Sequence, residues 1–151
     1  MAGVGFHIEI QGLARVNDRL NRLIENDAQK QLLEIVGATS ESQTRRRISE
    51  DKTSPDGEPW ADWSKDYAKT RHSGHSLLEN EGDLLDSIQY QVSGGEVAIG
   101  SNLDYAAIRQ FGGAEVGRPN DPAREYLGIS DADHDELIDV INDWATGLMS
   151  E

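Results

Sequence analysis

The stretch from Ile88 to Gly100 constrains this chain more than any other. Ile88, Tyr90 and Val92 alternate with polar residues, Ser93-Gly94-Gly95-Glu96 reverses the chain, and Val97 and Ile99 alternate again before Gly100. A period of two on both sides of a glycine pair predicts an antiparallel β-hairpin. The N-terminus offers a further strand, with Phe6, Ile8 and Ile10 on one face, His7, Glu9 and Gln11 on the other, and Gly12 at its end. A small antiparallel sheet built around the hairpin follows.

Helices are expected on either side of it. From Leu13 the period changes, and Leu13, Val16, Leu20, Leu23 and Ile24 form a helical stripe. Asn26-Asp27 offers an N-cap for a second helix, with apolar positions Leu32, Ile35, Val36 and Thr39, able to run through Arg45-Arg46-Arg47 to Ile48. The three arginines there oppose the negative end of the helix dipole and suit pairing with nearby acids. Ser130 followed by Asp131-Ala132-Asp133 is a capping-box pattern. Leu137, Ile141, Trp144, Ala145 and Leu148 then predict an amphipathic helix from about Asp131 to Met149, with Trp144 buried against the sheet.

Between these elements the chain changes character. Pro55-Asp56-Gly57 is a turn: proline presets φ, aspartate bonds the backbone and glycine supplies positive φ. The spacing of Trp60 and Trp63 places both on one face of a turn or short helix, lidding the core. Lys69 to Ser76 reads as a mobile polar loop, Leu77 to Ile88 as a short helix interrupted by glycine, and Leu103 to Phe111 as a helix broken by Gly112-Gly113. Glu115 to Pro122 is an irregular loop.

At 151 residues, 1–151 form one domain, with no room for a second full one. No apolar run nears the ~20 residues of a membrane span, and the first residues do not resemble a signal peptide. A soluble product of the host cytoplasm is expected. The absence of cysteine excludes disulfides, thiolate metal sites and cysteine nucleophiles. A net charge of −14 disfavours binding to duplex DNA or anionic membrane. Abundant aspartate with few lysines is also a composition suited to high salt.

Chemistry is sparse. His72 and His75 are close, but a zinc site would need rigid carboxylate partners. Ser64 and Ser101 lack the context of a nucleophile elbow. Acid pairs such as Asp83 with Asp86, or Asp133 with Glu136, arise by chance among 28 acids. Neither glycine pair has the strand-to-helix setting of a phosphate cradle. No enzyme, metal or cofactor site is expected. The aromatics in loops, Trp60, Trp63, Tyr105, Phe111 and Tyr126, read equally as core lids or interface anchors.

Five segments, in order, carry a family resemblance. Pro55-Asp56-Gly57-Glu58-Pro59-Trp60, then Ser64 and Tyr67-Ala68, resemble the "PDG-x-PW … S-x-x-YA" element of the phage virion-morphogenesis (tail-completion) proteins of Mu-like phages. Leu77 to Ile88 is similar to their "L-x-x-[ST]-G-x-L-x-x-SI", and Val97-Ala98-Ile99-Gly100-Ser101 to "V-x-[VI]-G-[ST]". Tyr105 to Gly113 resembles "YA-x-I-HQFGG", and Pro122-Ala123-Arg124-Glu125-Tyr126-Leu127-Gly128 resembles "PARPFLG". The departures are Glu81 for a small hydroxyl residue, Arg109 for histidine, Glu125 for proline and Tyr126 for phenylalanine.

The resemblance implies an α+β fold: a small antiparallel sheet with a central β-hairpin, an N-terminal helical arm and the C-terminal amphipathic helix. It implies a non-catalytic subunit of the neck or tail end of a virion, forming a homo-oligomeric, sixfold ring. Partners would be the tail tube or tail terminator on one side and a head-closure or adaptor protein on the other. Trp60, Trp63, Tyr105, Gln110, Phe111, Gly112, Arg124 and Tyr126 are the interface candidates. Arg124 is expected to anchor the Pro122–Gly128 bend to a carboxylate. The alternative is a small acidic binding or regulatory module, mimicking DNA toward a basic partner.

Overall fold

A computed structural model describes residues 3–10, 28–71, 75–79 and 82–149. Three strands, β1 (Val4–Glu9), β2 (Gln89–Ser93) and β3 (Glu96–Ser101), form one antiparallel sheet in the order β1-β3-β2. Phe6, Ile99 and Tyr90 stand in one row across it, and Ile8, Val97 and Val92 in the next. The hairpin closes from Ser93 to Glu96, with Gly94 in the left-handed region the turn demands. Ile88 lies just before β2 and is fully buried.

Helix α1 (Ala28–Arg46) covers the sheet. Leu32, Leu33 and Val36 are buried on it, each such side chain contributing on the order of 1.5–3 kcal/mol. Helix and sheet meet at Gly37, where an added Cβ would lie 2.4 Å from the Tyr90 ring and 2.9 Å from Val97. Only glycine lets the two layers approach so closely. Beyond Arg46 the helix widens into a π-turn, Arg47–Asp51, ended by Lys52 in the left-handed conformation. The Lys52 ammonium then donates to Ser76 Oγ (3.0 Å), the Leu77 carbonyl (2.8 Å) and Glu79 Oε2 (3.1 Å), stitching the helix end to a distant turn.

Among the described residues four further helices follow: α2 (Lys65–Ala68), α3 (Asp83–Ser87), α4 (Ala106–Phe111) and α5 (Asp131–Met149), with a 3-10 turn at Ala114–Val116. The fold is α+β, and the turn at Pro55-Asp56-Gly57 forms as read: the Gly57 N–H donates to the Ser54 carbonyl, and the Glu58 N–H to Asp56 Oδ1. Ser130 and Asp133 cap α5 reciprocally, each side chain accepting the other's backbone N–H (3.0 and 3.2 Å).

Several expectations need correction. Trp60 and Trp63 share no helical face, because residues 60–64 form no helix. Trp60 turns into the core, and Trp63 lies half-buried against Tyr67. Between Leu77 and Ile88, among the described residues, only Asp83–Ser87 is helical; Ser76 and Glu79 bracket a tight turn in which Leu78 has a positive φ. The 103–111 helix starts at Ala106. Trp144 is half-buried, and its indole N–H donates to Gln31 Oε1 of α1 (3.4 Å), because α5 packs on α1. The stripe from Leu13 to Ile24, the Asn26-Asp27 cap, His72, and parts of the Lys69–Ser76 and Leu77–Ile88 segments lie outside the described residues.

Candidate functional site

Residues 122–128 belong to no helix or strand, yet Arg124, Tyr126 and Leu127 are buried. Backbone polar groups in such a segment must find partners elsewhere. Side chains supply nearly all of them. Gln110 Oε1 accepts the N–H groups of both Tyr126 and Leu127 (3.0 Å each), and its Nε2 donates to the Leu127 carbonyl (3.4 Å). One carboxamide thus does for this strap what a neighbouring strand would do.

The Trp60 indole donates to the Glu125 carbonyl at 2.8 Å. Arg47 donates to the carbonyls of Tyr126 (2.8 Å) and Gly128 (3.4 Å), while its other terminal nitrogen is ion-paired with Asp133. The Arg124 N–H donates to the Arg109 carbonyl (2.9 Å), and the Tyr126 hydroxyl to the Ala106 carbonyl (2.7 Å). Burial pushes the Tyr126 phenol well above its usual range.

The Arg124 side chain corrects another expectation. Its anchor is backbone, not a carboxylate: Nε donates to the Ala61 carbonyl (2.8 Å) and Nη2 to that of Asp62 (3.1 Å). These bonds tie the strap to the segment after Trp60. Burial, and next the positive charge of Arg109, lower the affinity of its guanidinium for the proton.

Beside the strap lies a cleft of about 700 Å³. Trp63, Tyr67 and Tyr105 line it with aromatic rings, Arg109 and Arg124 with guanidinium groups, and Asp62, Glu79 and Asp83 with carboxylates. Trp63 and Tyr67 meet edge to face at 6.1 Å, and Arg109 lies over the Tyr105 ring at 5.8 Å. Pro119, Asn120 and Pro122, from the loop after α4, complete one side.

The eight interface candidates therefore divide. Trp60, Gln110, Arg124 and Tyr126 are buried within the chain and fix the strap. Gly112, at φ +81, turns the chain out of α4 where an added Cβ would sit 3.0 Å from the Ala123 nitrogen. Trp63 and Tyr105 face the cleft, and Phe111 is 71% exposed. Arg109 was missed as a cleft residue, although its place four residues after Tyr105 puts both on one flank of α4.

The suspected chemical groups have structural partners. Ser64 Oγ caps α2 by accepting the Tyr67 N–H, and Ser101 Oγ is bonded to Ser87 Oγ (2.7 Å) and accepts the Leu103 N–H. Asp133 serves the α5 cap and Arg47. Among the described residues no three acids or histidines are grouped to hold a metal ion.

The sequence profile of the phage virion morphogenesis family matches residues 8–145. The chain belongs to that family. It is 27% identical to the "Putative capsid assembly protein G" of Escherichia phage Mu, covering 89% of this chain and 88% of that protein. It is 30% identical to the "Mu-like prophage FluMu G protein 2" of Haemophilus influenzae, covering 91% and 94%. No solved structure matches it significantly. Membership gives the chain a role in building a phage particle. The segments resembling the family's motifs are those that carry the strap, its Gln110 and Trp60 partners, and most of the cleft.

Proposed function

We propose that this protein is a non-catalytic ring subunit at the neck or tail end of a tailed virion, completing the tail and joining it to the head. The observation that supports this best is the division of labour within the motif segments. Their buried side chains Trp60, Gln110, Arg124 and Tyr126 hold the strap that leads into α5, and their remaining aromatic side chains face outward. A ring subunit needs both properties, since a small rotational error repeated around the ring prevents closure. Its neighbours in the particle would be further copies of itself, the tail tube or tail terminator, and a head-closure or adaptor protein. An excess of acids on the surface would keep passing DNA from sticking.

The test is a deletion of the gene in its phage or prophage, with lysates viewed by electron microscopy. Filled heads and separate, complete tubes that fail to join are expected, rescued by the gene supplied in trans. Normal infectious particles, or an arrest before heads form, would each overturn the neck reading; the second outcome would move the role into head assembly.

A further inference from the structure

Helix α4 carries two features that its own packing does not use, and they leave it on opposite flanks. Ala106 and Gln110, one turn apart, face the interior. Tyr105 and Arg109, likewise one turn apart, line the cleft. Phe111 follows Gln110 where Arg109 precedes it, so at about 100° per residue its side chain departs on the flank away from Arg109. It does not line the cleft. Five residues on, Val116 is 64% exposed, and with Phe111 it is the most exposed large apolar side chain among the described residues. Glu115 between them is exposed and forms no ion pair among the described residues. The loop after α4 is thus a wall, with an apolar and acidic knob on its outgoing arm and the cleft beside its returning arm.

The cleft offers that knob an aromatic wall and two guanidinium groups. Its aromatic wall suits an apolar side chain. Neither Arg109 nor Arg124 forms an ion pair among the described residues, although the chain carries 28 acids against 14 lysines and arginines. Of the carboxylates around them, Glu79 is paired with Lys52, while Asp62 and Asp83 are exposed. Arg124 is 7% exposed and contributes the buried part of the lining.

We propose that Phe111 and Val116 of one copy dock against Trp63, Tyr67 and Tyr105 of a second copy, with Glu115 directed to Arg109. This rests on the ring reading above and names the contact that would propagate it. A knob and a socket on opposite flanks lead each copy on to the next, the head-to-tail arrangement that closes into a ring when the rotation allows.

The test places the photoreactive residue p-benzoylphenylalanine at position 111 of the full chain, irradiated at millimolar concentration. Because Phe111 is exposed, the substitution leaves folding intact. Cross-links joining position 111 to residues 62–67 or 105–109 of another copy are expected. As an independent arm, Glu115→Arg and Arg109→Glu should each weaken self-association about tenfold or more, and an equimolar mixture should restore it, since every contact then pairs opposite charges. No cross-link between copies, or cross-links away from the cleft, would overturn the contact. So would a mixture no more associated than its components. In infected cells, cross-links to a different protein alone would replace the second copy as occupant and leave the neck reading standing. A cleft cross-link together with normal particles after gene deletion would keep the contact and remove the neck reading.

Discussion

Arg47, the first residue of the π-turn after α1, is ion-paired with Asp133 in the first turn of α5, and both side chains are buried. The same guanidinium carries two strap carbonyls, and the same carboxylate accepts the Ser130 N–H. Helix end, strap and helix start therefore meet at one pair of charges. Arg47→Met should cost about 3–5 kcal/mol in urea unfolding, because it removes the buried ion-pair partner of Asp133, leaving that carboxylate only the Ser130 N–H and the more distant Arg46 (3.9 Å), and it strips two strap carbonyls of their donor. A loss below about 1 kcal/mol would mean that water reaches Asp133 freely and that the pair is incidental to the angle between strap and helix.

Gln110 offers a cleaner dissection of the strap. Gln110→Ala removes the acceptor of two buried N–H groups and should destabilise by about 2–4 kcal/mol, the sum expected for leaving such groups unpaired. Gln110→Glu keeps an acceptor for both but brings a charge and turns a donor toward the Leu127 carbonyl into a second acceptor. Its stability should recover as pH falls and the carboxyl takes up a proton that it can donate. Stability of this variant that is flat from neutral to mildly acidic pH would contradict the arrangement.

These two residues mark where sequence reading stops. The hairpin, the first strand and α5 are legible because their signals are local: period two around Gly94-Gly95, and Ser130 with Asp133 before an apolar stripe. The strap is not local. Its partners lie at Arg47, Trp60 and Gln110, and no periodicity announces that a glutamine will stand in for a strand. An arginine in a bent segment suggests a carboxylate partner, yet the bonds of Arg124 go to the carbonyls of Ala61 and Asp62. Trp60 and Trp63 misled for a related reason. A spacing of three means one face only if the segment is helical, and the bonds to Glu125 and Arg124 hold it otherwise.

Tyr126 should make the protein sensitive to alkali. Its phenol, buried and bonded to the Ala106 carbonyl, holds its proton well above the ordinary value of 10.0, whereas in the unfolded chain it ionises near that value. Above about pH 10 the unfolded state therefore binds fewer protons than the folded one, and stability falls as pH rises. The contribution is fully present below that pH. Tyr126→Phe should be about 1 kcal/mol less stable at neutral pH, for the lost hydrogen bond, and should show a shallower alkaline decline. An alkaline decline as steep as that of the unaltered protein would place its cause elsewhere.

The acids of α5 give a prediction about salt. Asp131, Asp135, Asp139 and Asp143 are all exposed and spaced four apart, so they stand in one row on the solvent face of the helix. Like charges at this spacing each cost about 0.2–0.5 kcal/mol. Molar salt shortens the screening distance to about 3 Å and should remove most of this repulsion. The melting temperature should therefore rise from low to molar KCl. Asp139→Lys, which turns two repulsive neighbours into attractive ones, should stabilise by about 0.5–1.5 kcal/mol at low salt, and that advantage should vanish in molar KCl. An advantage independent of salt would assign the effect to helix propensity or packing. A melting temperature unmoved by salt in the unaltered protein would remove any link between its acidity and a saline environment.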